Sequence, residues 1–290
     1  MDSVLEKSHL GGINQHVSPQ LASDFDSALN AIWLYWQPKP RPCFNLSFLQ
    51  ELESFGKFIE SSQGKFEYQS CIHPIDYVIV ASNVPSVFNL GGDLELFAQL
   101  IREKDFPGLL HYGQLCVEVL YKNYIAYNLP LTTISLVQGL CLGGGFEAAL
   151  SSDIIVAEQS SRFGFPEILF NLFPGMGAYS LLSRRVGQKL TSEIITSGHR
   201  YTAEELKQLG LVDSVVEDGS GIQAVKELVA KHKSRSNGFQ GISQARRIMH
   251  NLELEELLEI VEVWAERAMH LTDRNLKLME RFARSQSQLT

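Results

Sequence analysis

The chain has 290 residues, 44% of them hydrophobic and 20% charged, with a formal net charge of −8. That composition supports a sizeable core, in one large domain or a domain with an appendage, and excludes a disordered chain. The acidic balance argues against general nucleic-acid binding, and no apolar run approaches the ~18 residues of a membrane helix, so a chain that is not membrane-embedded is expected.

In chain order, residues 1–25 read as a polar N-terminal arm without an apolar segment of signal-peptide length. "ALNAIWLYW" (28–36), aromatic and β-branched, predicts a strand, and "PKPRPCFN" (38–45) a Pro-punctuated loop. Apolar residues at 48, 49, 52, 55, 58 and 59 predict a helix over 46–59. "DYVIVAS" (76–82) reads as a buried strand, 94–103 and 107–126 as helices, 131–139 and 153–158 as further strands. Strands alternating with helices imply parallel βαβ units and an α/β fold. From about residue 177 the pattern is mostly helical. Leu254, Leu257, Leu258, Val261, Trp264, Ala265 and Ala268 share one face of a late helix, a stripe that suits a neighbouring subunit or the chain's own core. No internal repeat is visible. Cys43, Cys71, Cys116 and Cys141 form no CxxC pair and no zinc-spaced cluster, so reduced, mostly buried thiols in a cytoplasmic protein are expected, with no metal and no cofactor.

Chemistry gathers at two glycine turns. The strands at 76–82 and 131–137 run toward "FNLGGDL" (88–94) and "GLCLGGGFE" (139–147). Glycine permits φ > 0 and close approach to the backbone, and a helix start offers unpaired N–H groups. Two such turns side by side can aim two N–H groups at one oxygen, the arrangement of an oxyanion hole. Neither turn is a GxGxxG or a GxxxxGK[ST] motif, so dinucleotide and P-loop readings are unsupported. Glu147 lies in the first turn of the second helix, and Glu167 sits among Phe163, Phe165, Ile168, Leu169, Phe170, Leu172 and Phe173. Each is either a solvated or helix-terminal acid, or a buried acid/base whose pKa is raised.

These residues resemble the crotonase (enoyl-CoA hydratase/isomerase) superfamily. "FNLGGDL" is similar to its first oxyanion-hole motif, "QGLCLGGGFEAALSSDIIVAE" to its second, "SRFGFPEILFNLFPGMGAYSLLSRRVG" to the segment of the second catalytic acid, and "ITSGHRYTAEELKQLGLVDSVVE" to a later signature. The resemblance implies a ClpP/crotonase-like spiral of ββα units over 26–218 and a C-terminal helical trimerisation region over 219–290, in a trimer or dimer of trimers. It implies Gly92 and Gly144 as oxyanion donors and Glu147 and Glu167 as acid/base residues. "PRPCFN", "LGGGFEAAL", the segment around "FPGMGAYS" and the tail from Glu262 look like one branch, the diffusible signal factor synthases. That likeness implies dehydration of a 3-hydroxyacyl–acyl carrier protein to the cis-2-enoyl thioester, then hydrolysis to a free medium-chain acid used in quorum sensing. It also implies a sensor histidine kinase as regulatory partner. An enoyl-CoA hydratase and a crotonase scaffold that mainly binds a regulator are the alternatives. Leu142, Met176 and Trp264 are candidate pocket residues by motif position. Arg184, Arg185 and Lys189, with Arg246 and Arg247, are candidates for docking an acidic carrier protein.

Overall fold

The computed structural model describes residues 18–287; the remainder of the expected N-terminal arm lies outside the described residues. The arm's end is not separate from the core. Residues Leu21–Asp26 form an edge strand, β1, antiparallel to β2 (Ala31–Trp36). Its signal is weak because Leu21 and Phe25 alone are buried among serines and aspartates. The strand expected at 28–36 starts three residues late, since Asp26 caps a turn by accepting from the N–H groups of Ala28 and Leu29.

The chain then forms α1 (Leu46–Ser61), a hairpin of β3 (Lys65–Tyr68) and β4 (Cys71–Pro74), β5 (Tyr77–Ser82), β6 (Val87–Asn89), α2 (Leu94–Glu103) and α3 (Phe106–Tyr124). Asn45, Asp93 and Asp105 cap the three helices by accepting N–H bonds from their first turns. Next come β7 (Thr132–Val137), β8 (Leu140–Leu142), α4 (Gly144–Leu150), β9 (Ile154–Glu158), β10 (Arg162–Gly164) and α5 (Ala178–Ser197). The remainder is β11 (Tyr201–Thr202), α6 (Ala203–Gln208), β12 (Ser214–Val216) and the helices α7 (Gly221–Lys233), α8 (Ser236–Met249), α9 (Leu254–Ala268) and α10 (Asp273–Ser287).

The long strands make a six-stranded sheet in the order β1-β2-β5-β7-β9-β12, parallel except at β1. The short strands make a second sheet, β11-β10-β8-β6, parallel from β6 to β10. Each of β5, β7 and β9 sits in the large sheet and hands the chain to β6, β8 or β10 in the small one. The result is a spiral of strand–strand–helix units, a repeat of geometry that leaves no repeat of residues. Both faces of the large sheet are covered. Ile32, Leu34, Val78 and Val80 face the main core, while Trp33, Ile79 and Leu136 pack against Val225 and Val229 of α7. That is why these strands read as continuous apolar runs.

The late helices pack on their own chain. Gly113 of α3 lies under Val261 and Trp264 of α9. α10 returns across α2, where Glu280 pairs with Arg102, and Phe282 meets Phe170 at 5.8 Å between ring centroids. The apolar stripe Leu257, Val261, Trp264, Ala265 and Ala268 is therefore buried within the subunit. α8 is different: it has no buried residue, and Ile242, Ile248 and Met249 are exposed. All four cysteines are free; Cys43 and Cys141 are buried, Cys116 half-buried and Cys71 exposed on the hairpin. No helix among the described residues is long and apolar enough to cross a membrane.

Candidate active site

The two glycine turns do not follow the long strands directly, as the sequence suggests, but the short strands β6 and β8. Those strands pair in parallel, Val87 with Leu140 and Asn89 with Cys141, which sets the turns side by side. They touch: a Cβ on Gly91 would lie 2.9 Å from the backbone nitrogen of Gly144. Gly91 (φ 89°) and Gly143 (φ 53°) both occupy the positive-φ region that favours glycine. Their own N–H groups hold the turns, Gly91 donating to Oδ1 of Asn89 at 2.7 Å and Gly143 to the carbonyl of Gly164 at 2.9 Å. The next donors along, the N–H groups of Gly92 and Gly144, have no protein partner among the described residues, and both glycines line one cavity.

The first turn is braced from three directions. Tyr112 of α3 accepts the N–H of Asp93 and donates to the carbonyl of Phe44. Arg41 pairs with Asp93 at 2.7 Å and with Glu95. Gln286, near the end of α10, donates to the carbonyls of Leu90 (3.0 Å) and Gly92 (3.4 Å). Gln286 has no sequence signal: nothing in a polar tail marks a side chain that folds back across the molecule.

Glu147 is 1% exposed. Its Oε1 accepts the N–H groups of Met176 and Ala178, each at 2.9 Å, at the start of α5. Burial raises its pKa to about 7, and the two N–H groups oppose the rise. It is thus neither solvated nor merely a helix-terminal charge. Glu167 comes from the short turn Glu167–Phe170. Ile168 and Leu169 of that turn face solvent, while Phe163, Phe165, Phe170 and Leu172 are buried. Oε2 of Glu167 is enclosed and has no partner, and Oε1 lies where a Cβ on Gly143 would stand. Burial first, then the charge of Glu147, raises its pKa to about 8. The carboxyls therefore titrate as a coupled pair. The N–H groups of Met176 and Ala178 favour the charged form of Glu147, and the backbone N–H of Glu167 favours that of its own carboxyl, so burial is what holds both high.

Burial of these acids has a stability cost of definite sign. Glu147 binds a proton in the folded chain up to about pH 7 but in the unfolded chain only to 4.5. Stability therefore falls as pH rises through that window and is lowest above it. Glu147→Gln is expected to raise the unfolding free energy at pH 9 by on the order of 3 kcal/mol. Urea denaturation at pH 9 and pH 4 checks this, since the gain vanishes at pH 4.

The cavity that holds Glu147, Glu167, Gly92 and Gly144 is otherwise apolar, and Met176 and Trp264 line it. Leu142 does not. It packs with Val87 and Leu90 in a separate small cluster, because β8 turns that side chain away from the cavity. Cys116 also lines the cavity near Glu147, and burial pushes its thiol well up, so it stays protonated. The two basic motifs do converge, but largely on internal acceptors. Arg184 clasps Glu256, Arg185 donates to the carbonyls of Leu150 and Ser152, Arg246 to the carbonyl of Asp153, and Arg247 to its carboxylate. Lys189 alone of the set is left exposed without such a brace.

A strand–strand–helix spiral that brings two glycine turns and two buried carboxyls to one apolar cavity defines the crotonase class. The sequence profile of the enoyl-CoA hydratase/isomerase family matches residues 70–274, and the chain belongs to that family. It is similar to 2,3-dehydroadipyl-CoA hydratase of Escherichia coli, 34% identical over 61% of this chain and 67% of the relative. It is also similar to mouse mitochondrial methylglutaconyl-CoA hydratase, 36% identical over 48% of this chain and only 42% of the relative. The structure of an enoyl-CoA hydratase from Bacillus halodurans shares the fold, with TM-score 0.74 at 20% identity over 90% of this chain and 99% of that one.

Proposed function

We propose that the chain removes or adds water across the 2,3-bond of an acyl thioester, and that its natural substrate is a 3-hydroxyacyl–acyl carrier protein. The observation that carries the reaction class is the pair of buried, coupled carboxyls beside two unpaired glycine N–H groups. The thioester oxygen sits between the N–H groups of Gly92 and Gly144, which stabilise charge that builds as the α-proton moves. One carboxyl takes a proton while the other gives one, and a singly protonated pair holds both roles at once. In the reverse direction the roles exchange.

The finer reading is a diffusible signal factor synthase. After dehydration to the cis-2-enoyl thioester, a water activated by the same carboxylates attacks the carbonyl. The same donors hold the tetrahedral oxyanion. On its collapse the C–S bond breaks, the carrier-protein thiolate takes the proton that the carboxylate drew from water, and the free cis-2-unsaturated acid is released. The likeness of separate segments, from "PRPCFN" to the tail from Glu262, supports this reading, and a predominantly apolar cavity suits its acyl chain. Plain hydration of a CoA thioester is the second reading, favoured by the names of the curated relatives. A homo-oligomer is part of the proposal, with the exposed Ile242, Ile248 and Met249 of α8 as its contact surface.

Mass spectrometry of the products from 3-hydroxydodecanoyl–carrier protein tests the choice. Free cis-2-enoic acid, absent with Glu147→Ala and with Glu167→Ala, is the expected result. An untouched carrier-protein thioester with rapid hydration of an enoyl-CoA would overturn the synthase reading in favour of the hydratase.

A further inference from the structure

The cavity does not end at the carboxyls. Its lining extends along α1 and α3, which run side by side, as far as Gly56 and Asn123. Beside the glycine turns, Tyr112 of α3 donates to the carbonyl of Phe44 just before α1. At the far end, Lys122 of α3 pairs with Glu60 of α1 at 2.9 Å. Beyond Glu147 and Cys116 the walls are apolar as far as Phe55, Gly56 and Tyr127.

The polar groups at that end satisfy one another. Asn123 donates to Ser151 (2.9 Å) and Ser152 (3.1 Å), Ser152 shares a hydrogen bond with Ser135 (2.9 Å), and the Tyr127 hydroxyl approaches Asn123 at 3.5 Å. No charge there is left to receive a terminal carboxylate, so a methyl group is the end that fits. Gly56 lines the cavity beside Lys122 and Tyr127. A Cβ there would meet Cδ of Lys122 at 3.0 Å and the Tyr127 ring at 3.7 Å.

The geometry points to Gly56 as the gauge of acyl length: the tunnel accepts a straight, uncharged acyl chain whose terminal methyl rests against Gly56 and Tyr127. This rests on the thioester reading above and names its substrate class. From Cys116 to Asn123 on α3, and from Leu49 to Gly56 on α1, the wall spans ~10 Å at ~1.5 Å per residue. An extended chain with C–C bonds of about 1.5 Å advances about 1.25 Å per carbon, so roughly eight carbons fit beyond the reacting ones and the whole acyl group has roughly ten to twelve.

The test is binding of saturated acyl-CoAs from C4 to C16 by titration calorimetry, which needs no turnover. With wild type, affinity is expected to rise roughly threefold to fourfold per methylene, and to break near C10–C12. Gly56→Leu improves helix propensity, and the flexible Lys122 stem can yield to it. It is expected to move the break to roughly C6–C8 and to weaken C12 binding by on the order of 30- to 100-fold, with C4 unchanged. Val119→Phe, from the opposite wall, is expected to shorten the preference in the same way. Affinity that is flat from C4 to C16, or variants that weaken every length alike, would overturn the gauge. A length break with no free acid produced would leave the gauge standing and remove only the synthase reading.

Discussion

Glu147→Gln is expected to lower kcat/KM by on the order of 10²- to 10⁴-fold, the usual worth of a positioned acid or base. Glutamine keeps an Oε1 that accepts from Met176 and Ala178, so the fold around it persists and the loss reports the proton. Glu167→Gln should cost a similar amount, and the double variant little more than the worse single one, because the carboxyls act as one unit. The wild-type pH profile follows from the same pair. Below about 7 both carboxyls hold protons and no base remains; above about 8 both are ionised and no acid remains. A narrow bell with its maximum between those values is expected in kcat/KM. Each single glutamine variant should lose one limb. A flat profile from pH 5 to pH 9 would rule out the carboxyl pair as the acid and base.

The second large effect is expected from Gly144→Pro. Gly144 is the first residue of α4, where proline is conformationally suited and the missing N–H breaks no helical bond. A Cβ there finds ordinary contacts, 3.4 Å from Cα of Gly91 and 3.5 Å from the Phe44 ring. The substitution removes a donor at the proposed oxyanion site and sets the ring Cδ where that N–H pointed. Loss of one such donor costs about 2.7–4 kcal/mol, so kcat should drop by about 10²- to 10³-fold with the melting temperature nearly unchanged. Gly144→Ala, which keeps the donor, is the control and should remain within about tenfold of wild type. If alanine and proline were equally harmful, space and not the N–H would be the requirement, and Gly144 would not be a donor.

The elements that were legible in the residues are the long ones. The helices expected at 46–59, 94–103 and 107–126 form as 46–61, 94–103 and 106–124, since each carries an apolar stripe at helical spacing and a side-chain cap. The buried strands at 76–82 and 153–158 are equally plain, because parallel strands covered on both faces leave an unbroken apolar run. The three-residue strands β6, β8 and β10 are too short to show any period, and the small sheet they form was invisible for that reason. Of the pocket candidates named by motif position, Met176 and Trp264 line the cavity, while Leu142 packs in a separate cluster.

Local chemistry could be read from the linear order of residues. Three consecutive glycines at the start of a helix, a glutamate in its first turn, and a second glutamate in an aromatic stretch are all nearest-neighbour facts. They raised an oxyanion site and an acid pair as candidates, and the family resemblance attached them to Gly92, Gly144, Glu147 and Glu167. What depends on distant segments meeting could not be read. The parallel pairing of β6 with β8 brings Gly91 against Gly144, and burial turns Glu147 into a group that titrates near neutrality even though Met176 and Ala178 donate to it. Gln286 reaches the first glycine turn across nearly two hundred residues of chain, and α1 laid beside α3 opens the tunnel. Residue types state which groups are available, whereas desolvation and proximity, which decide pKa and reach, exist only once the chain has folded.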